Sequence, residues 1–258
     1  MNPGDIESMT RAADRYAPVF ARLSAEARDS GYTLFAAFYD RADSALNSTM
    51  EEDALDYEQL VTEDIRGIPA NVSPKMKARN ERLRANGFRV TSSEGMPYIE
   101  KDLAWVGPRF YRYLSPVMKA YVEQLRAEAD NRFADDAAIM VTSKEFVERT
   151  IWWENFARGH RAFTLYGEAE RMRKLYLTTL LEGVDNTSVL DYESNGLSTY
   201  YDSAWSYLAT RYPKSEAAAL IVPFHAAWRR SDTAAAGSLL RTYRQQGRVL
   251  DYGSDSDD

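Results

Sequence analysis

Apolar residues recur at three- and four-residue spacing along almost the whole chain, the period of amphipathic helices. Ile6, Met9, Ala13, Tyr16 and Phe20 open the pattern, with Pro18 expected to kink or divide that first segment. Gly31 reads as a separator before a second apolar helix, Tyr32 to Leu46. One stretch changes period: Phe88 to Glu94, then Gly95-Met-Pro97, then Tyr98 to Asp102, the pattern of a short β-hairpin. Helical spacing returns over Leu103 to Leu114 and Ser115 to Asp130. Thr142-Ser-Lys-Glu145 is a capping box opening a helix that ends near Gly159. Further helices are predicted over Arg161 to Leu181, Leu197 to Tyr212, Ser215 to Arg230 with a kink at Pro223, and Ser231 to Gln246.

Two helix starts echo each other. Residues 73–85 (SPKMKARNERLRA) and 115–127 (SPVMKAYVEQLRA) match at nine of thirteen positions, two of them the Ser-Pro pair that caps a helix and fills its first position. An offset of 42 residues suits a two-helix solenoid repeat, although such arrays stack three or more units. Tyr212-Pro-Lys-Ser215 before an alanine-rich helix also occurs in tetratricopeptide-like arrays. The expected fold is therefore all-α: antiparallel helix pairs with solenoid character and one small hairpin excursion. It is read as a single domain over residues 1–250, with a sub-boundary near 87–102, followed by a frayed acidic tail over 251–258.

Composition narrows the chemistry. The 258 residues contain no cysteine and two histidines, His160 and His225, which removes thiol nucleophiles and thiolate metal sites. Glu154 and His160 lie six apart and miss the spacings of helical metal motifs, so neither a metal nor a cofactor is expected. A formal charge of −7 argues against nucleic-acid partners. The longest apolar run, Ala217 to Trp228, is interrupted by Pro223 and His225, so no membrane insertion is expected. The acidic stretch Glu51 to Asp64 precedes a basic one, Arg66 to Arg89, and the two are expected to neutralise each other across a helix interface. Met1-Asn-Pro-Gly leads into Asp5-Ile-Glu7 without the basic region and apolar core of a signal peptide, which reads as cytoplasmic. The absence of cysteine suits a periplasmic or envelope protein whose leader was removed.

Three functional readings follow. The first is a non-enzymatic binding or scaffolding protein with an aromatic-lined helical groove for a protein, peptide or glycan, with Trp152, Tyr200 and Trp205 as contact residues. The second is a carboxylate-dependent hydrolase using Glu94, Glu100 or Asp102, because paired acids at suitable separation perform glycoside hydrolysis. The third is a structural subunit that exposes a large apolar face when isolated. Glu94-Gly-Met-Pro-Tyr98 with Asp102, Tyr113-Leu-Ser-Pro116, Trp153-Glu154, Gly183-Val-Asp-Asn-Thr187 and Tyr212-Pro-Lys-Ser215 together resemble a group of uncharacterised, exported α-helical bacterial proteins. The resemblance spans roughly Phe88 to Tyr243. It implies an envelope protein and no particular activity.

Overall fold

A computed structural model describes residues 1–50, 52–61, 72–194 and 196–251. The described residues form ten α-helices and four two-stranded antiparallel pairs, a mostly helical fold. The chain divides into two compact units, Met1–Asp130 and Asn131–Asp258; the 87–102 stretch lies inside the first. The acidic tail from 252 onward and much of the 51–71 stretch fall outside the described residues.

In the first unit, α1 (Glu7–Phe20) runs to its end with Pro18 in the last turn, and α2 (Ala25–Met50) is one uninterrupted helix. Gly31 is therefore interior to α2 rather than a separator. A Cβ there would meet the Phe20 ring at 2.7 Å, so the missing side chain is what lets α1 close onto α2. Tyr32, Phe35, Tyr39, Ala42 and Leu46 form the buried stripe of α2. Phe110 of α4 (Leu103–Phe110) packs edge-on against Tyr16 and Tyr32, and Trp105 stacks on Phe35.

The predicted hairpin is β1 (Phe88–Ser93) paired with β2 (Met96–Lys101), turning through Glu94 and Gly95, both at positive φ. Its outer edge is closed by Asn47 of α2. That side-chain amide donates to the Ile99 carbonyl at 2.7 Å and accepts from the Ile99 N–H at 2.8 Å, imitating a neighbouring strand.

Ser73 caps α3 (Pro74–Ala85) and Ser115 caps α5 (Pro116–Asp130), as the Ser-Pro starts predict. The two echoing helices pack on different partners, α3 on β1 and α5 on α4. Ser115 is further pinned by buried Asp29, which accepts from its backbone N–H at 2.9 Å and its hydroxyl at 2.5 Å. Basic residues of α3 find acids on two sides: Arg82 pairs with Glu7 of α1, and Arg79 with Asp53 at 3.5 Å.

The second unit centres on α6 (Ser143–Gly159), opened by the Thr142 cap and apolar on more than one side. Around it pack α7 (Tyr166–Glu182), α8 (Thr199–Arg211) and α9 (Glu216–Arg229), with α10 (Thr233–Gln245) against α9. Helix α9 continues through Pro223. Three miniature pairs join these helices: β3 (Ala134–Asp135) with β4 (Ala138–Ile139), β5 (Gly183–Val184) with β6 (Thr187–Ser188), and β7 (Leu190–Asp191) with β8 (Gly196–Leu197). The 185–187 turn docks on the β3–β4 turn: Asn186 donates from its backbone to Ala137 and from its side chain to Asp136, while Thr187 accepts from Ile139.

Candidate functional site

The most apolar groove among the described residues lies away from the aromatic residues singled out in the sequence. In the first unit, α1 and α2 enclose an open apolar groove of about 390 Å³. Helix α1 contributes Ala12, Arg15, Tyr16, Val19 and Phe20, and α2 contributes Gly31, Leu34, Phe35, Phe38 and Arg41. Both sets follow i, i+3, i+4, i+7 spacing, so each helix presents one continuous face. Leu34 and Phe38 form a second apolar stripe beside the core stripe of α2. Val19 and Leu34 on the lips are 58% and 69% exposed, values unusual for side chains that gain by burial. From Gly31 to Arg41 the groove follows ten residues of helix, about 15 Å. Arg15 and Arg41 form no ion pair among the described residues; Arg41 rests over the Phe38 ring at 5.8 Å.

The three residues singled out as groove contacts do not meet in one groove. Trp205 is fully buried, donates its indole N–H to the Leu180 carbonyl at 2.8 Å and packs against Tyr201, Phe224 and His225. It is core, because Tyr201, Trp205 and Leu208 share the inward face of α8. Tyr200 is half-buried and donates its hydroxyl to the Val141 carbonyl at 2.9 Å. Burial pushes that phenol up to about 12. Trp152 is half-buried and stacks on Phe156, rings 4.9 Å apart.

Glu94 stands apart from the other two hairpin acids, which are engaged in structural contacts. Glu94 occupies the turn, Glu100 is held by Arg89 at 2.5 Å, and Asp102 caps α4 by accepting from the Ala104 N–H at 3.0 Å. Four strand residues separate the turn from Glu100, roughly 13 Å of rise. Two-carboxylate glycoside hydrolysis requires about 5–9.5 Å.

The remaining chemistry-bearing residues hold structure. Glu154 is 3% exposed and accepts from the backbone N–H groups of Glu216 and Ala217 at 2.9 and 2.8 Å, so the Trp-Glu motif caps a neighbouring helix. His225 is buried and bonded through Nε2 to Asp202 at 2.6 Å; Arg229 binds the same carboxylate oxygen at 2.9 Å. The His225 hydrogen bond, followed by Arg229, draws the Asp202 carboxyl below its usual range. His160 lies at the end of α6 against Phe156. Among the described residues no group of three or more His, Asp or Glu is placed to hold a metal ion, and no helix is long and apolar enough to cross a membrane.

Comparison with protein-family models, curated proteins and solved structures finds no match. The short motifs therefore stand on what their residues do: a turn, helix caps, and a docked loop.

Proposed function

We propose that this is a non-enzymatic binding protein whose α1–α2 groove accepts an amphipathic, acidic segment of a protein partner. The observation that carries the reading is the double-helix face of exposed apolar side chains lined also by Arg15 and Arg41, which have no carboxylate partner among the described residues. A length of about 15 Å matches three turns of a docked helix, enough for anchors at i, i+3 or i+4, and i+7. Carboxylates flanking those anchors would meet Arg15 and Arg41, adding orientation and association rate.

In the second unit, α6–α7 and α8–α9 are read as two stacked helix pairs in the manner of tetratricopeptide-like arrays. Packing of α8 on α6 and of α9 on α7 supports this.

The test is selection from a random peptide display library on the wild-type protein and on Leu34→Glu. The reading requires enriched peptides with spaced aliphatic or aromatic residues and Asp or Glu, lost on the variant. Enrichment of basic peptides, or equal retention by Leu34→Glu, would overturn it. A second copy of the chain in the groove would instead appear as concentration-dependent mass abolished by Leu34→Glu, and would also overturn the peptide assignment.

A further inference from the structure

A separate cavity in the second unit carries charge of the sign opposite to the chain as a whole. It measures about 340 Å³ and lies between α6 and the α8–α9 loop. Ile151, Glu154, Asn155 and Arg158 form one wall, and Arg211, Tyr212, Pro213, Lys214 and Ser215 the other. Three cations line it against the single carboxylate of Glu154, an excess of two positive charges in a chain of formal charge −7.

Among the described residues Arg211 and Lys214 form no ion pair, and Arg158 forms only a long one. Arg158 donates to the Asn155 side chain at 2.6 Å and reaches Glu154 only at 4.0 Å. Both Glu154 oxygens are already taken by the first turn of α9. Arg211 lies over the Tyr212 ring at 5.6 Å, and Lys214 has no ion pair among the described residues. Of the nearby acids, Glu216 pairs with Arg248 at 2.7 Å, and Glu148, which keeps its charge while accepting from the Tyr207 and Tyr212 hydroxyls, is not among the residues lining the cavity. Like charges gathered around one cavity repel, and a bound anion converts that repulsion into attraction.

We propose that this cavity binds a small phosphate-bearing ligand. Two guanidinium forks match the geometry of phosphate oxygens in bidentate fashion, with Lys214 as a point charge beside them. Ile151, Pro213 and the Tyr212 ring supply an apolar and aromatic wall for the uncharged part of the ligand. Since the backbone N–H groups of Glu216 and Ala217 are occupied by Glu154, side chains alone hold the anion. The site is independent of the α1–α2 groove.

The test is isothermal titration calorimetry with inorganic pyrophosphate, and with citrate as a carboxylate anion of comparable charge. It uses the full chain, Arg158→Gln, Arg211→Gln, Lys214→Gln and the triple variant. Lys75→Gln with Lys77→Gln on α3 serves as the control. One pyrophosphate should bind per chain, each arginine substitution should weaken it about tenfold, and the triple variant should show no heat. The control should bind like wild type. Titration of the wild type at rising salt supplies a readout independent of any substitution, since affinity must fall as the ionic contacts are screened. No binding at millimolar pyrophosphate, undiminished binding by the triple variant, equal loss in the control, salt-independent affinity, or equally tight citrate would each overturn the proposal.

Discussion

Replacing Glu154 tests how the second unit is held together. Its carboxylate is buried and gives one oxygen to each of two backbone N–H groups in the first turn of α9, where the helix dipole favours negative charge. Glu154→Ala removes both acceptors and leaves two inward-facing donors unsatisfied. Hydrogen bonds to a charged group contribute roughly 1.5–3 kcal/mol each, so the loss should be about 3–5 kcal/mol. Glu154→Gln keeps the shape and one acceptor but turns an amide NH2 toward an N–H group, and should cost about 2 kcal/mol. Urea unfolding followed by tryptophan fluorescence reports on this unit, which contains Trp152, Trp153, Trp205 and Trp228. With a slope of about 2 kcal/mol per molar, the midpoint should fall by about 2 M for Ala and 1 M for Gln. Exposed Asn155→Ala on the same turn should stay within about 0.5 kcal/mol of wild type. A Glu154→Ala midpoint no lower than that of Asn155→Ala would refute the reasoning.

Three further outcomes are expected. Burial raises the Asp43 carboxyl to about 6, above its unfolded value, and one of its oxygens is buried without a partner. The fold therefore favours the neutral acid, and stability is lost as pH rises from about 4 through 6. Asp43→Asn should stabilise by about 1 kcal/mol at pH 7.5, after discounting for partial exposure, and by nothing at pH 4, measured by urea midpoints at both pH values. Gly87 sits at φ +91°, where a Cβ would lie 2.8 Å from the Tyr39 hydroxyl and 2.9 Å from Trp105. Gly87→Ala should cost about 2–4 kcal/mol by thermal or urea unfolding, combining backbone strain with overpacking. Gly31→Ala should displace the Phe20 ring, weakening any peptide selected on the wild-type groove by more than it lowers the unfolding midpoint.

Local chemistry was legible wherever a short pattern has one physical solution. Thr142 with Glu145, Ser73 with Pro74 and Ser115 with Pro116 cap the helices they announce. The hairpin forms as read, although its turn is Glu94-Gly95 and the second strand already begins at Met96, inside the expected Gly95 to Pro97 connection. Gly31 misled because its meaning is tertiary: the Phe20 ring fills the space of the absent side chain. Pairs of two-residue strands carry no periodicity and left no trace. Trp205 was weighed by residue type, whereas face decides whether a side chain is exposed. Trp205 lies four residues from Tyr201 and shares its buried side. Leu34 and Phe38 lie one step off the Phe35–Tyr39–Ala42 stripe, a second apolar face for which α2 needs a second neighbour.

The central claim is that the α1–α2 groove binds an acidic amphipathic segment. It is tested most directly by amide chemical-shift mapping during titration with a designed helical peptide bearing leucines at i, i+3 and i+7 flanked by glutamates. A copy with lysines in place of the glutamates is the control. The account predicts saturable shifts confined to residues around Val19, Leu34, Phe38 and Arg41 with the glutamate peptide, and much weaker ones with the lysine peptide. Shifts centred elsewhere, none at millimolar peptide, or equal response to both peptides would contradict it.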